Sequence, residues 1–173
     1  MMKTLIVYHS RTGNTRRVAQ ALARRLHADV DEIRIVQPMG GAIGYAMCAL
    51  ESMAGLAPAL RPSHRDPSRY DLVVVGTPVW FWNVSSPVRS WLEANPPRHR
   101  VAFFCTMGGS GGRRAFATMA DLAGREPVAT LALPEHELGH ADVALDAFVR
   151  RLRSNAPARS AQRPPHPLAL HAA

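Results

Sequence analysis

Ser10, Thr12 and Thr15 place three hydroxyls within a six-residue stretch, interleaved with Arg11, Gly13 and Asn14. The stretch directly follows the apolar run Leu5-Ile6-Val7-Tyr8 and precedes a helix-patterned segment, so it reads as a strand-to-helix turn. Such a turn suits a phosphate. The hydroxyls donate hydrogen bonds, Gly13 lets the backbone approach an anion, and the unpaired amides of the next helix point the same way. No Lys followed by Ser or Thr closes the loop, which sets it apart from the nucleoside-triphosphate turn.

Two further loops share this placement. The run Asp71-Leu72-Val73-Val74-Val75-Gly76 opens into Thr77-Pro78-Val79-Trp80-Phe81-Trp82-Asn83, where three aromatic rings crowd a segment expected to be polar. The run Val101-Ala102-Phe103-Phe104-Cys105 opens into Thr106-Met107-Gly108-Gly109-Ser110-Gly111-Gly112. Three apolar runs thus end at their carboxyl sides in loops with ligand-binding chemistry, where open parallel sheets form their crevice.

By the order, spacing and chemistry of these loops, residues 3 to 153 resemble the flavodoxin-like family of FMN proteins. The resemblance implies that Ser10, Thr12, Asn14 and Thr15 bond the FMN phosphate, with Arg11 and Gly13 giving amides and Arg11 and Arg16 adding positive charge. It makes Trp80, Phe81 and Trp82 the stacking candidates within the segment Thr77, Pro78, Val79 to Asn83. Thr106, Met107, Gly108, Gly109 and Gly112 then belong to the segment along the pyrimidine edge of the flavin. Gly76-Thr77-Pro78 with Phe81 and Asn83 also resembles the corresponding loop of tetrameric FMN quinone reductases. The implied activity is either reduction of a quinone-type acceptor by NAD(P)H or electron carriage between partner proteins. No side chain need act as an acid or base, because the cofactor carries the electrons.

A second chemistry is spelled by His136-Glu137-Leu138-Gly139-His140, the HExxH pattern of zinc metalloproteases. On an α-helix both imidazoles would share one face. Pro134 just upstream and Gly139 inside the pattern instead place it in the loop leading to the last helix, and no metal site is expected. A third class is a flavodoxin-fold interaction domain without FMN, since fold does not dictate function. That class predicts decayed loops, whereas all three loops keep their chemistry.

The positioning elements follow from periodicity. Thr4–Tyr8 reads as a buried strand, Thr15–Leu26 as a helix, and Asp29–Val36 as an alternating edge strand. Helices are expected over Val84–Glu93, with Ser85 or Ser86 as cap and Pro87 in the first turn, and from the glycine loop to about Gly124. Val128–Leu133 makes the fifth strand and Ala141–Leu152 the last helix. This alternation predicts an α/β fold, and right-handed crossovers leave few topologies. The resemblance selects a doubly wound five-stranded parallel sheet in the order 2-1-3-4-5 with helices on both faces.

The 173 residues suffice for one well-packed domain, expected over 1–153, and residues 154–173 form a Pro- and Arg-containing tail expected to be disordered. The segment 41–60 is apolar nearly all round. It fills the ordinary sheet face, lids the flavin or joins a subunit interface, and a homo-oligomer fits the last of these. Cys48 and Cys105 have neither metal spacing nor the density of a disulfide scaffold, and are expected to be buried thiols. No stretch suits an integral membrane span, and the run after Lys3 is too short for a secretory core, so a cytoplasmic protein is expected.

The formal charge is +8, with Lys3 the single lysine. A basic surface cannot steer toward basic redox partners as acidic flavodoxins do. It favours anionic cofactors such as NADPH or acidic partners. No nucleic acid partner is expected, because no reading helix or aromatic-interleaved basic stripe accompanies the charge.

Overall fold

The computed structural model describes residues 2–36 and 58–155. Most of the apolar segment at 41–60, Cys48 and the tail beyond Asn155 lie outside the described residues.

The near-continuous apolar runs form a parallel sheet buried on both sides, as such runs require. Its strands are β1 (Thr4–Tyr8), β2 (Asp29–Glu32), β3 (Leu72–Trp80), β5 (Arg100–Met107) and β6 (Thr130–Pro134), in the spatial order β2-β1-β3-β5-β6. The two-residue strand β4 (Asn83–Val84) folds back antiparallel on the end of β3. Once β4 is counted, this is the expected order 2-1-3-4-5. Helices α1 (Asn14–Leu26), α2 (Ser86–Ala94), α3 (Gly112–Ala123) and α4 (Asp142–Ser154) cover the faces. The last helix runs two residues beyond its expected end at Leu152, through Arg153 to Ser154.

Successive residues of a strand point to opposite faces. Ile6 and Tyr8 accordingly join Val18, Leu22, Phe104, Leu133 and Phe148 in one core beneath α1 and α4. Leu5 and Val7 join Val73, Val75, Val88, Trp91, Phe103 and Met119 in the other, beneath α2 and α3. In α1 the buried stripe is Val18, Ala19, Leu22 and Leu26, while Arg25 bonds Asp142 and Asp146 of α4. The central strands meet so closely that a Cβ on Gly76 would lie 2.0 Å from the Phe104 ring.

The second strand is shorter than its alternation predicts. Its pairing with β1 runs out where Tyr8 faces Glu32. Beyond that, Ile35 bridges antiparallel to Leu60, with Val36 donating to the Ala59 carbonyl and Arg61 to the Arg34 carbonyl. The alternation at 33–35 thus belongs to two different pairings.

Candidate functional site

Three loops meet at the carboxyl ends of β1, β3 and β5. They enclose a cleft of about 400 Å³ lined by Arg11, Thr12, Pro78, Val79, Trp80, Thr106, Met107, Gly108 and Glu135. The volume suits a small organic ligand. Each of the predicted loops contributes to it, and Glu135 comes from the start of the HExxH segment, which the sequence did not connect with this cleft.

The first loop enters α1 through Gly13 at φ 93°, a conformation that only glycine adopts freely. A Cβ there would meet nothing within 4 Å, so open space faces the turn. The first turn of α1 carries no acidic residue. One amide is satisfied internally, since Arg16 N donates to Ser10 Oγ at 3.2 Å. Thr15 is buried, and its hydroxyl pairs with that of Thr106 at 2.8 Å, tying the first loop to the third. Asn14 Nδ2 donates to Glu135 Oε1 at 3.1 Å, which sets a carboxyl beside the phosphate-type turn. Arg16 is held by Glu32 at 2.6 Å. Of the cations expected there, Arg11 is the one that lines the cleft.

In the second loop Thr77 is fully buried. Its hydroxyl donates to the Pro78 carbonyl at 2.9 Å, accepts from the Ser85 amide at 3.1 Å and lies 3.0 Å from Ser85 Oγ. It thus braces the base of the β3–β4 hairpin from within. Ser85 precedes α2 but makes no side-chain cap, because its hydroxyl is engaged with Thr77. Asn83 Oδ1 accepts its neighbour Val84's amide.

Trp80 lines the cleft, and its ring meets His9 edge-to-face with centroids 5.7 Å apart. His9 Nδ1 lies 3.0 Å from the Ile33 carbonyl, which can only accept, so the neutral ring carries its proton on Nδ1. Burial pushes the His9 pKa below its ordinary value and keeps the imidazole neutral. His9 therefore positions Trp80 from behind. Its sole signal in the sequence is its place between the strand and the hydroxyl turn.

Phe81 and Trp82 are not among the residues lining the cleft. They form the two-residue turn between β3 and β4, at φ 48° and 58°, and are 48% and 61% exposed. A bulky residue in this left-handed region costs about 1–2 kcal/mol. Trp82 Nε1 donates to Ser110 Oγ at 2.9 Å, bridging the second and third loops.

The glycines of the third loop divide by role. Cβ atoms on Gly108 and Gly109 would meet nothing within 4 Å, while one on Gly111 would lie 2.6 Å from Trp82 Cα. Gly112 begins α3 against Ala132 and Cys105, each 3.2 Å from where its Cβ would stand, so it serves packing. Cys105 is a buried free thiol whose pKa burial pushes up to about 12, far from a reactive thiolate.

The HExxH segment forms a 3₁₀ helix, Glu135–His140, between β6 and α4. With three residues per turn, positions four apart no longer share a face. Among the described residues no group of three His, Cys, Asp or Glu side chains could hold a metal ion.

The flavodoxin family model matches residues 3–131. The chain belongs to the flavodoxin family. Among curated proteins, this flavodoxin-family chain is similar to an NAD(P)H dehydrogenase (quinone) of Cupriavidus metallidurans, 31% identical over 97 residues. That match covers 54% of the chain and 46% of the relative, so the chain matches about half the relative's length. The fold is shared with a flavoprotein of Lactobacillus acidophilus solved in complex with FMN, at 22% identity and TM-score 0.70 over 86% of this chain and 99% of that one. A flavoprotein of Bacteroides uniformis gives a TM-score of 0.74 at 20% identity, over 86% of this chain and 98% of its own. Among the described residues no helix is long and apolar enough to cross a membrane.

Proposed function

We propose that the protein binds FMN in the three-loop cleft and works as an NAD(P)H-dependent reductase of quinone-type acceptors. The observation that carries this reading is the meeting of an anion-ready helix start with an aromatic wall. Arg11 and Thr12, next to the open glycine turn at Gly13, line the same cleft as Pro78, Val79, Trp80 and Met107. A phosphate-bearing planar cofactor suits both kinds of lining. Gly13 and the first amides of α1 would hold the phosphate, Trp80 would face the ring, and the open backbone at Gly108 and Gly109 would approach its polar edge.

The chemistry that bound FMN supplies is acceptance of a hydride from NAD(P)H and delivery of two electrons to a quinone, which takes up two protons to become a quinol. This chain's own part is to bind, orient and exclude water. His9 fixes the Trp80 ring, and the Thr15–Thr106 pair holds the first and third loops at a set separation. The name of the Cupriavidus metallidurans relative supports the reductase over the carrier. So does the +8 charge, which draws an anionic nicotinamide nucleotide and repels basic redox proteins.

The test is the visible spectrum of the purified protein after incubation with FMN, followed by NADPH without oxygen and then a quinone. Flavin bands that bleach with NADPH and return with the quinone are the expected result. Protein that retains no flavin after gel filtration would overturn the reading.

A further inference from the structure

A second cavity, of about 230 Å³, lies between α1 and the 3₁₀ segment that follows β6. Val18, Ala21, Leu138 and Leu145 give it an apolar floor. Arg17, Gln20 and Arg24 line it from α1, and their spacing of three and four residues sets all three on one helix face. It is built from the same two elements as the cleft. The turn into α1 gives the cleft Thr12 and the helix gives the cavity Arg17, while the 3₁₀ segment gives the cleft Glu135 and the cavity Leu138 and Gly139. The hydrogen bond between Asn14 and Glu135 ties these elements at their first residues.

The two arginines of the cavity are not committed elsewhere. Among the described residues the ion pairs made by α1 are those of Arg16 with Glu32 and of Arg25 with Asp142 and Asp146, and Arg17 and Arg24 form none. Asp142 is the one carboxylate among the lining residues, and Arg25 already neutralises it. Two guanidinium groups with free donors thus stand beside an apolar floor, a lining for a ligand with a flat body and more than one anionic group.

We infer that this cavity holds the 2′-phosphoadenosine end of NADPH while the nicotinamide end reaches the flavin cleft. This assignment rests on the reductase reading and adds the element that tells NADPH from NADH. The cavity is smaller than the roughly 300–1,000 Å³ of a site for a whole drug-sized ligand, so it suits one end of a longer molecule. The order of charges along α1 matches the donor. Arg17, nearer the cleft, meets the pyrophosphate, and Arg24, about two turns farther along the helix, meets the 2′-phosphate, a group that arginine suits. The adenine covers the apolar floor, where the Gln20 amide offers it both a donor and an acceptor.

The test uses Arg24→Gln, an exposed change between good helix formers, and reads binding to the protein incubated with FMN by titration calorimetry. The probes are adenosine 2′,5′-bisphosphate and adenosine 5′-monophosphate, neither of which can reduce a flavin. The expected result is a Kd for the bisphosphate raised about tenfold in the variant, with that for the monophosphate and for FMN within about twofold of the parent's. The NADPH concentration that half-bleaches the flavin is expected to rise in step, and that of NADH to stay unchanged. Arg24→Lys, which keeps the charge, is expected to recover part of the affinity. A bisphosphate Kd within about twofold of the parent's in Arg24→Gln overturns the assignment, as does a parent that binds the two probes equally well. A flavin that stays oxidised with NADPH, although the bisphosphate binds as expected, overturns the reductase reading and with it the donor as occupant.

Discussion

Glu135 brings a negative charge to the glycine turn that opens α1. Its carboxyl accepts from Asn14 and lines the same cleft as Arg11. A bound phosphate dianion would meet that carboxyl at short range, and a like charge a few ångströms away in partly solvated surroundings costs about 1 kcal/mol. Glu135→Gln is therefore expected to tighten FMN binding roughly fivefold, measured by quenching of flavin fluorescence. Weaker binding would mean that the Asn14–Glu135 bond matters more for ordering the turn than its charge does for repelling the ligand. Nothing near Asn14 in sequence announces this carboxyl, which lies 121 residues away. Thr77 teaches the same lesson in reverse. Its place beside the aromatic loop is legible, but only the packing of β3 against the start of α2 turns its hydroxyl inward.

Among the elements, β3 sets the site. It runs from the middle of the sheet, passes the glycine at 76, and ends in the hairpin that carries Trp80, Phe81 and Trp82. Gly76 has no conformational reason to be glycine, since its φ is not among the positive values. Its reason is the Phe104 ring across the ladder, 2.0 Å from where a Cβ would stand. Gly76→Ala is expected to force β3 and β5 apart at the base of the cleft and destabilise the protein by about 3 kcal/mol, read from urea unfolding. A cost under about 1 kcal/mol would mean that Phe104 repacks freely. The sequence marks Gly76 as a strand end, but the strand continues through it to Trp80. The aromatic run is therefore ladder and turn, where composition suggests an irregular loop.

For the whole molecule, the charge of +8 is the property most open to test. A basic surface raises the encounter rate of an anionic donor, and salt screens it. The rate constant kcat/KM for NADPH is expected to fall severalfold between about 20 mM and about 300 mM salt, and to fall less for NADH, which lacks the 2′-phosphate. Equal salt dependence for the two nucleotides would place the arginines away from the donor's path. The charge is a property of composition, but its orientation relative to the cleft is set by the fold.

The sequence by itself determined the alternation of strands and helices and the place of the first loop at the end of β1, because apolar periodicity and turn chemistry act over a few residues, whereas β3 and β5 run on into the other two segments as far as Trp80 and Met107. It also placed the HExxH segment outside any α-helix, since Pro134 and Gly139 act locally. Tertiary structure alone decided which atoms of those loops face the cleft. The Thr15–Thr106 pair spans 91 residues and the Asn14–Glu135 pair 121, distances bridged by strand register and crossovers rather than by any local signal. Likewise, the positive φ of Phe81 and Trp82 is imposed by the two-residue closure of β3 on β4 and the seat offered by Gly111. Local preference favours neither residue there, so only the assembled sheet could show that two aromatic rings stand outside the cleft.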